Sequence, residues 1–571
     1  MEVTTRHKRK QYIQRVLLVL LVLIGINTAA SFLHRRWDLT AEKRYTLTGS
    51  TKMLLRGLDA PLEIDVFLKG DYPAGFRQLA QNTQELLEEF SEYGGNNVRF
   101  RFITPGAELP DSLRFIFQDS LVQKGIMPFN LQVQSDASDG ISEKLIFPGA
   151  LVRYKGKEIG VTLLQGQPGT DPAQALNSSA AMLEYRFANA IYQLSLKEKP
   201  LVGYMLGHGE PVGTHVYDAL TTLQSYYRLD TINLKLNPFI PREFGTIIFL
   251  KPIEAFTEED KLKIDQYVMN GGKVIWFLNN LTTDMDSLQA SGNFVAMSRG
   301  LELEDLLFRY GARVNQDLIQ DLQSDVLPII VGSMGDKPQI QYMPFIYFPK
   351  FSSTGSHPIV KNMDAVLGRF TNSIDTVTGG GIQKTILLAS SARSRKVSSP
   401  VGISLDELKR KPNPRQFMPG NIPAAVLLEG NFTSLFNHRL NGRQLEVLQQ
   451  LSGVPYRSVT AAPNKMIVVA DADIVTNFFS EKNGPLQMGA NRFTQEVFAN
   501  KEFFTNCMEY LTNTSGIMET RNRELTLRLL DGEKVKQQHT KWQLLAFVVP
   551  IGLVLIFAMV FNFLRQRRFT A

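Results

Sequence analysis

The sequence of 571 residues contains a single cysteine, Cys507, and this scarcity limits the chemistry open to the chain. One thiol cannot form an intramolecular disulfide, a CxxC redox pair or a zinc site with several cysteines. Cys507 lies in a helical pattern among Phe503, Phe504 and Tyr510, whereas a nucleophilic thiol is expected on an exposed turn near a base. We therefore interpret Cys507 as a thiol of the hydrophobic core.

Two catalytic signatures are also absent. The sequence has no GxxxxGK[ST] loop, in which glycines, a lysine and a hydroxyl cradle the phosphates of ATP. It has no GxSxG nucleophile elbow either. We therefore expect neither ATP hydrolysis nor an elbow-type serine hydrolase, and any energy from ATP must come from another subunit.

Unbalanced charge is confined to the two ends of the chain. The formal net charge is +7. Residues 1–15 hold five basic side chains, Arg15 among them, and one acid, while residues 565–571 hold Arg565, Arg567 and Arg568. These segments account for the whole excess, whereas a nucleic-acid-binding domain usually concentrates positive charge on one face. We therefore predict no nucleic-acid partner.

Two uncharged apolar stretches lie beside these basic segments, at residues 16–33 and 542–564. About 20 apolar residues are enough to span a bilayer as a helix, and Trp542 marks a membrane boundary, as interfacial aromatics do. The first stretch is also compatible with a cleaved signal peptide, although it is longer than the usual apolar core of such signals. We predict a transmembrane helix at each end, with cytoplasmic tails at 1–15 and 565–571. Residues Arg15, Trp542, Arg565, Arg567 and Arg568 are then the predicted membrane anchors.

Residues 34–175 have the pattern of a small α/β domain. A strand-like segment at 62–69 precedes a helical one at 76–95 and a second strand at 98–105. This order predicts a thioredoxin-like unit, without redox function because no cysteine pair is present. Residues 143–164 predict a hairpin that turns at Lys155-Gly156.

Residues 176–518 predict a larger α/β domain, followed by a membrane-proximal connector at 519–541. Continuous apolar strands alternate with capped helices, which is typical of a mainly parallel sheet covered on both faces. Residues 285–420 are richer in Gly, Pro and Ser, and we interpret them as an insertion with loops.

Polar side chains follow two of the predicted strands. His208 and Glu210, in the turn GHGE, suit a base or a metal pair, or a tight turn in which both side chains bond the backbone. Asp471 and Asp473 suit a cation or an acid–base pair, or the cap of the next helix. We take these four as candidate ligand- or partner-binding residues and predict no catalytic residue, metal site or cofactor.

Several segments resemble one known family. They are YTLTGSTK after the first apolar stretch, GHGE (207–210), GGKVIWFLN (271–279), SHPIVKNMDAVLGRFTNSID (356–375), VVADADIVTN (468–477) and NKEFFTNCMEYL (500–511). With an apolar stretch at each end, the chain resembles the GldG family of gliding-motility proteins of Bacteroidetes-type bacteria, which are ABC-type uncharacterised transport components. The resemblance covers nearly the whole chain.

The resemblance implies a place in the bacterial inner membrane with the bulk of the chain in the periplasm. It implies two partners, a GldF-like ABC permease and a GldA-like ATPase, and an envelope component as a further one. The family's periplasmic region is similar to the flavodoxin-like, class I amidotransferase-like fold, whose enzymes use a cysteine on a strand-to-helix elbow. No such nucleophile follows a predicted strand here, so we expect a non-catalytic subunit. The alternatives are a motility or secretion scaffold without transport and a hydrolase centred on the GHGE turn.

Overall fold

The computed structural model divides the chain into two compact units, Met1–Glu524 and Leu525–Ala571. It describes residues 17–25, 27–28, 46–70, 72–107, 109–134, 141–164, 172–283, 285–334, 337–353, 355–379, 381–481, 484–522 and 532–569. The predicted boundaries between domains stay predictions.

The first part of the larger unit is a four-stranded sheet with helices. The strands are β1 (Leu62–Val66), β2 (Val98–Phe102), β3 (Phe129–Gln134), β4 (Ile141–Ile146), β5 (Gly149–Tyr154) and β6 (Lys157–Thr162). The helices are α1 (Gly49–Arg56), α2 (Ala74–Gly94), α3 (Asp111–Gln123) and α4 (Pro172–Ser195). The sheet has the order β2-β1-β5-β6, in which β1 and β2 are parallel and the other neighbours antiparallel. The predicted β-α-β order is confirmed.

The hairpin predicted for residues 143–164 is confirmed for its second half. Lys155 and Gly156 both have left-handed backbone conformations, with φ of 50° and 76°, and this is the geometry of a two-residue hairpin loop. The first half was wrong, because β4 pairs with β3 in a separate two-stranded ribbon.

The rest of the larger unit is built on a ten-stranded sheet. The further strands are β7 (Leu201–Leu206), β8 (Arg228–Asn233), β9 (Thr246–Leu250), β10 (Lys273–Phe277), β11 (Asn293–Ala296), β12 (Ala312–Val314), β13 (Asp317–Asp321), β14 (Ser324–Met334), β15 (Lys337–Ser353), β16 (Val366–Leu367), β17 (Ile374–Thr376), β18 (Ile382–Ala389), β19 (Ser394–Ser398), β20 (Val401–Ser404), β21 (Pro423–Gly430), β22 (Asn464–Val469), β23 (Phe479–Ser480) and β24 (Gly484–Pro485). The helices are α5 (Tyr217–Tyr226), α6 (Glu258–Met269), α7 (Met285–Ser291), α8 (Glu304–Tyr310), α9 (Gly442–Ser452) and α10 (Asn500–Thr512).

The large sheet is mixed, not mainly parallel as predicted. Its order is β14-β15-β18-β21-β22-β10-β9-β7-β8, and β16 pairs with β15. The half from β22 to β8 is parallel, whereas β14, β15, β18 and β21 pair with antiparallel neighbours. Both faces are nevertheless covered. The sheet therefore combines a parallel half, which presents several strand ends at one edge, with an antiparallel extension.

The prediction of loops for residues 285–420 was wrong. The segment contains the long antiparallel hairpin of β14 and β15, and β18 joins the central sheet by pairing with β21. Long-range strand pairing, which composition does not reveal, orders this Gly- and Ser-rich region.

Alternating residues of the central strands supply two cores, one on each face of the sheet. On β9, Ile247 and Phe249 face the core beneath α6, while Ile248 and Leu250 face the core beneath α10. Cys507 of α10 is fully buried in this second core, and burial raises the pKa of its thiol well above the ordinary value. The interpretation of Cys507 as a core residue is confirmed.

Helix α4 links the first sheet to the large one through buried polar contacts. The Tyr185 hydroxyl donates to Glu509 Oε2 on α10, and Asn189 Nδ2 donates to the same oxygen at 3.1 Å. Burial raises the pKa of Glu509 above its ordinary value, although the hydrogen bond from Tyr185 and the charge of Arg521 oppose the shift.

The smaller unit contains one long helix, α11 (Gly532–Phe569). Residues Gln538–Arg567 are long and apolar enough to cross a membrane, and they are exposed in the structure. Trp542 lies on this helix, and the Arg567 guanidinium lies 5.0 Å from the Phe563 ring. Of the predicted first span at 16–33, residues 17–25, 27 and 28 are helical and the rest, like the anchor Arg15, lies outside the described residues.

Candidate functional site

The parallel strands β7, β9, β10 and β22 end at the same edge of the large sheet. Ligands of open α/β sheets gather at the carboxyl ends of such strands. The chain segments that follow these four strands carry all four of the residues predicted to bind a ligand or a partner, and further polar residues that the sequence did not indicate.

His208 and Glu210 are buried where they fix the turn after β7. The His208 ring stacks on Phe256 with centroids 3.7 Å apart, and its Nε2 lies 3.2 Å from Asp260 Oδ2. Glu210 Oε2 accepts a hydrogen bond of 2.7 Å from the His208 backbone nitrogen. One interpretation of GHGE had both side chains bonding the backbone; Glu210 does so, whereas the His208 ring lies against the Asp260 carboxylate. Because His208 is fully buried, a substrate has no direct access to it, which argues against a hydrolase centred here.

The same turn brings its glycine to the edge of the sheet. Gly209 has a φ of 75°, and a β-carbon there would lie only 2.4 Å from Cγ1 of Ile253, the residue two positions after Lys251. Only glycine suits this close approach in a left-handed conformation. Gly209 and Ile253 both line a cavity at this edge of the sheet.

Asp471 ties the segment 369–371 to the turn that follows β22. Its Oδ2 accepts hydrogen bonds from the Arg369 backbone nitrogen at 2.7 Å and from Thr371 Oγ1 at 2.5 Å. Its Oδ1 accepts from the Asp473 backbone nitrogen at 2.8 Å, which caps the short 3₁₀ helix Ala472–Ile474. Burial and the neighbouring Asp473 carboxylate raise the pKa of Asp471. The capping role, one of the two interpretations of this acid, is confirmed.

Asp473 forms an ion pair with the residue that follows β9. Lys251 Nζ donates to Asp473 Oδ1 at 2.5 Å, and Asn279 Nδ2 donates to Asp473 Oδ2 at 2.9 Å. Burial acts to raise the pKa of Asp473, but the Lys251 charge and hydrogen bond outweigh it and the net shift is downward. Lys251 itself has a left-handed φ of 49°, a conformation that stores strain and is common at functional sites.

A cavity of about 350 Å³ opens beside this ion pair. Its lining includes Pro211, Lys251, Thr283, Arg369, Asp473 and Phe478. Its volume falls in the range of small-molecule sites. Among the described residues, no group of three or more His, Cys, Asp or Glu side chains is placed to hold a metal ion.

Arg369 is the functional candidate that the sequence did not single out. It lies within the segment SHPIVKNMDAVLGRFTNSID, and no spacing rule distinguishes it there from other arginines. Its guanidinium carbon lies 4.0 Å from the centre of the Phe478 ring. A position between two short strands, β16 and β17, brings it to the strand ends.

The fold and the terminal helix define the class of this protein, a mixed α/β protein with a helix suited to membrane anchoring. The family described as an ABC-type uncharacterized transport system matches residues 199–507, which is more than half of the chain. The chain belongs to this family, and membership implies partnership with components of an ABC-type transporter. A domain of unknown function, DUF7088, matches residues 41–153.

Solved structures resemble the chain only weakly. The mmIFT52 N-terminal domain is 12% identical, with 55% of this chain and 97% of that chain covered, at a TM-score of 0.30. The exo-beta-1,4-mannosidase Op5Man5 from Opitutaceae bacterium strain TAV5 is 10% identical, with 85% and 56% covered, at a TM-score of 0.18. No curated protein matches the chain significantly.

Proposed function

We propose that the chain is a non-catalytic, membrane-anchored accessory subunit of an ABC-type transporter, with its larger unit in the periplasm. The observation that carries this proposal is the match of residues 199–507 to an ABC-type transport family. The lack of a phosphate-binding loop in the sequence supports a division of labour in which a partner supplies ATP hydrolysis.

The exposed apolar helix supports an anchoring role within a complex. Residues Gln538–Arg567 leave their apolar side chains uncovered, so a bilayer or other membrane helices are the fitting environment. Pro550 lies inside this helix, and the carbonyl it frees is best satisfied by a neighbouring helix. We propose that this helix packs on the permease, that the segment 16–33 is a second anchor, and that both tails are cytoplasmic in the bacterial inner membrane.

The finer assignment is to the GldG family, with a GldF-like permease and a GldA-like ATPase as partners and gliding motility as the process served. The sequence motifs quoted above support it. The strand order β2-β1-β5-β6 supports a thioredoxin-like first domain, and the parallel half of the large sheet supports an amidotransferase-like second domain. The larger unit would bind a partner or an envelope ligand.

Purification in mild detergent tests the association. With all three proteins expressed, the chain should carry a permease and a P-loop ATPase with it through affinity capture. Repeated recovery of the chain alone would contradict the proposal. A reporter fused to each terminus checks that both tails are cytoplasmic.

Inactivating the partner ATPase separates transport from a scaffold role. A transporter subunit requires ATP hydrolysis, so an ATPase variant that assembles but cannot hydrolyse ATP should abolish gliding. Normal gliding with that variant would favour a scaffold that acts without transport.

A further inference from the structure

Arg369 is a mostly buried cation on the wall of the cavity. The residue is only 7% exposed, yet no described residue forms a hydrogen bond or an ion pair with its guanidinium. The Phe478 ring covers one side of the group. Buried charges in proteins are normally paired, because removal of a charge from water is costly. Arg369 lines the cavity at the strand ends, so its fork of donors is available to a ligand there.

Asp473, Asp471 and Asp325 interact electrostatically with the Arg369 charge, but none of them forms an ion pair or a hydrogen bond with its guanidinium. The Asp473 carboxylate forms an ion pair with Lys251 at 2.5 Å. The Asp471 carboxylate accepts hydrogen bonds from two backbone nitrogens and a hydroxyl. A second arginine, Arg492, lies 5.0 Å from the same Phe478 ring and adds positive charge. The cavity therefore has on its wall a guanidinium whose donors contact no carboxylate among the described residues.

A second polar group in the cavity also lacks a partner. Thr283 Oγ1 is buried and has no hydrogen-bond partner among the described residues. Apolar side chains, including Ile253, Phe370 and Phe478, form much of the remaining wall. A polar end beside apolar walls is the usual arrangement of a site for a small organic molecule.

We propose that this cavity binds the carboxylate of a small organic acid, with the Arg369 guanidinium holding the carboxylate, Thr283 Oγ1 donating a hydrogen bond and the apolar walls receiving the body of the ligand. The inference deepens the ligand-binding part of the proposed function and rests on it. Association with the permease is tested separately by purification, so failure of one test does not imply failure of the other.

The charge count of the cavity favours a carboxylate over a phosphate. Asp286 also lines the cavity, and Lys251 is already neutralised by Asp473. The charged side chains of the lining, Lys251, Arg369, Asp286 and Asp473, sum to zero, which disfavours a doubly charged ligand, and the Arg369 fork matches the planar, two-oxygen geometry of a carboxylate. A phosphate dianion would add two negative charges to a lining that carries no net positive charge.

Titration of the full-length chain in mild detergent with benzoate, benzamide and inorganic phosphate tests the inference. Calorimetry and ligand-detected NMR should show saturable binding of benzoate and much weaker binding of benzamide, which has the same shape without the charge. Arg369→Gln should weaken benzoate binding about tenfold or more, because charge-assisted hydrogen bonds are lost. Thr283→Val should weaken it by a smaller factor.

Arg492→Gln is the matched control, since it removes an equal charge beside the same Phe478 ring but from a residue outside the cavity lining. It should leave benzoate affinity within about twofold. Absence of benzoate binding, equal binding of benzamide, tighter binding of phosphate or an unchanged Arg369→Gln affinity would each overturn the inference. If Arg369→Gln fails to fold, Arg369→Lys, which keeps the charge without the fork, should still lose affinity for benzoate.

Discussion

Replacement of Lys251 by methionine should expose how much the edge of the sheet depends on one ion pair. The two side chains are mostly buried, with 26% of Lys251 and 13% of Asp473 exposed. Methionine preserves most of the volume and removes the charge. Asp473 would keep only the hydrogen bonds from Asn279 Nδ2 at 2.9 Å and Thr476 Oγ1 at 3.0 Å.

The expected loss of stability is about 2–3 kcal/mol. Removal of one partner from a buried ion pair generally costs about 3–5 kcal/mol, because the other charge is left uncompensated. The remaining hydrogen bonds to Asp473 and the partial exposure of Lys251 reduce this figure. Asp473→Asn should cost less, about 1–2 kcal/mol, because Lys251 can extend its ammonium into water. The double variant should be more stable than the sum of the two losses predicts, by about 1–2 kcal/mol.

The sign of the pH dependence follows from the pKa of Asp473. In the wild type the pKa is lowered, so this group stabilises the fold above its ordinary pKa of 3.8, and the contribution is lost as the pH falls below that value. Without Lys251, burial dominates and raises the pKa. The Lys251→Met variant should therefore lose stability as the pH rises above 3.8, and its deficit should grow between pH 4 and pH 7.

Guanidinium unfolding of the full chain in mild detergent, followed by the fluorescence of the buried Trp276, measures these differences. Unfolding at several pH values provides the pH dependence. A Lys251→Met deficit below about 0.5 kcal/mol at pH 7, or one that shrinks as the pH rises, would refute the reasoning.

Three further substitutions test other parts of the structure. Glu509→Gln should flatten the dependence of stability on pH above pH 4.5. Because the folded pKa of Glu509 is raised, the stability that this group contributes is present below about pH 4.5 and is lost as the pH rises through the folded pKa. Denaturant midpoints at pH 4 and pH 7 check this. Gly209→Ala should lower stability by about 2 kcal/mol or more, because the added β-carbon would meet the Ile253 side chain. Gly213→Ala is the control in the same assay: Gly213 has a φ of 92° and no atom within 4 Å of an added β-carbon, so this substitution should cost only backbone strain. Leu553→Arg should reduce permease co-purification, because an arginine in mid-membrane costs about 2.5–3.5 kcal/mol, while Leu553→Ile should not.

Structural elements that are determined by neighbouring residues could be predicted from the sequence. Helix α6 begins at a Thr257–Asp260 capping box, in which each side chain bonds the other's backbone nitrogen, and the acids of its first turn suit the helix dipole. The turn at Lys155-Gly156 is similarly fixed by neighbouring residues. Continuous apolar strands such as β9 indicated a sheet covered on both faces, and the two cores confirm it.

Elements that depend on distant pairing could not be predicted in the same way. Strand β18 pairs with β21 about 40 residues further along the chain, and its own segment is flanked by glycines and serines that favour loops. The antiparallel half of the large sheet follows from such pairings. The Gly- and Ser-rich composition of residues 285–420 therefore predicts loops, although hydrogen bonds to distant strands make the segment regular.

The candidate site at the edge of the sheet also depends on contacts between distant parts of the sequence. The sequence indicated Asp471 as a candidate ligand or as a cap, and the cap is what its hydrogen bonds form. The same carboxylate also holds the backbone of Arg369, from about 100 residues earlier in the chain, and so sets this arginine beside the cavity. Arg369 is notable because its guanidinium lines the cavity and contacts no carboxylate among the described residues, and this depends on the fold and not on the local sequence. The local sequence thus predicted the cap at this edge of the sheet, whereas the ligand-binding role proposed for Arg369 rests on hydrogen bonds that its guanidinium does not make within the described part of the protein.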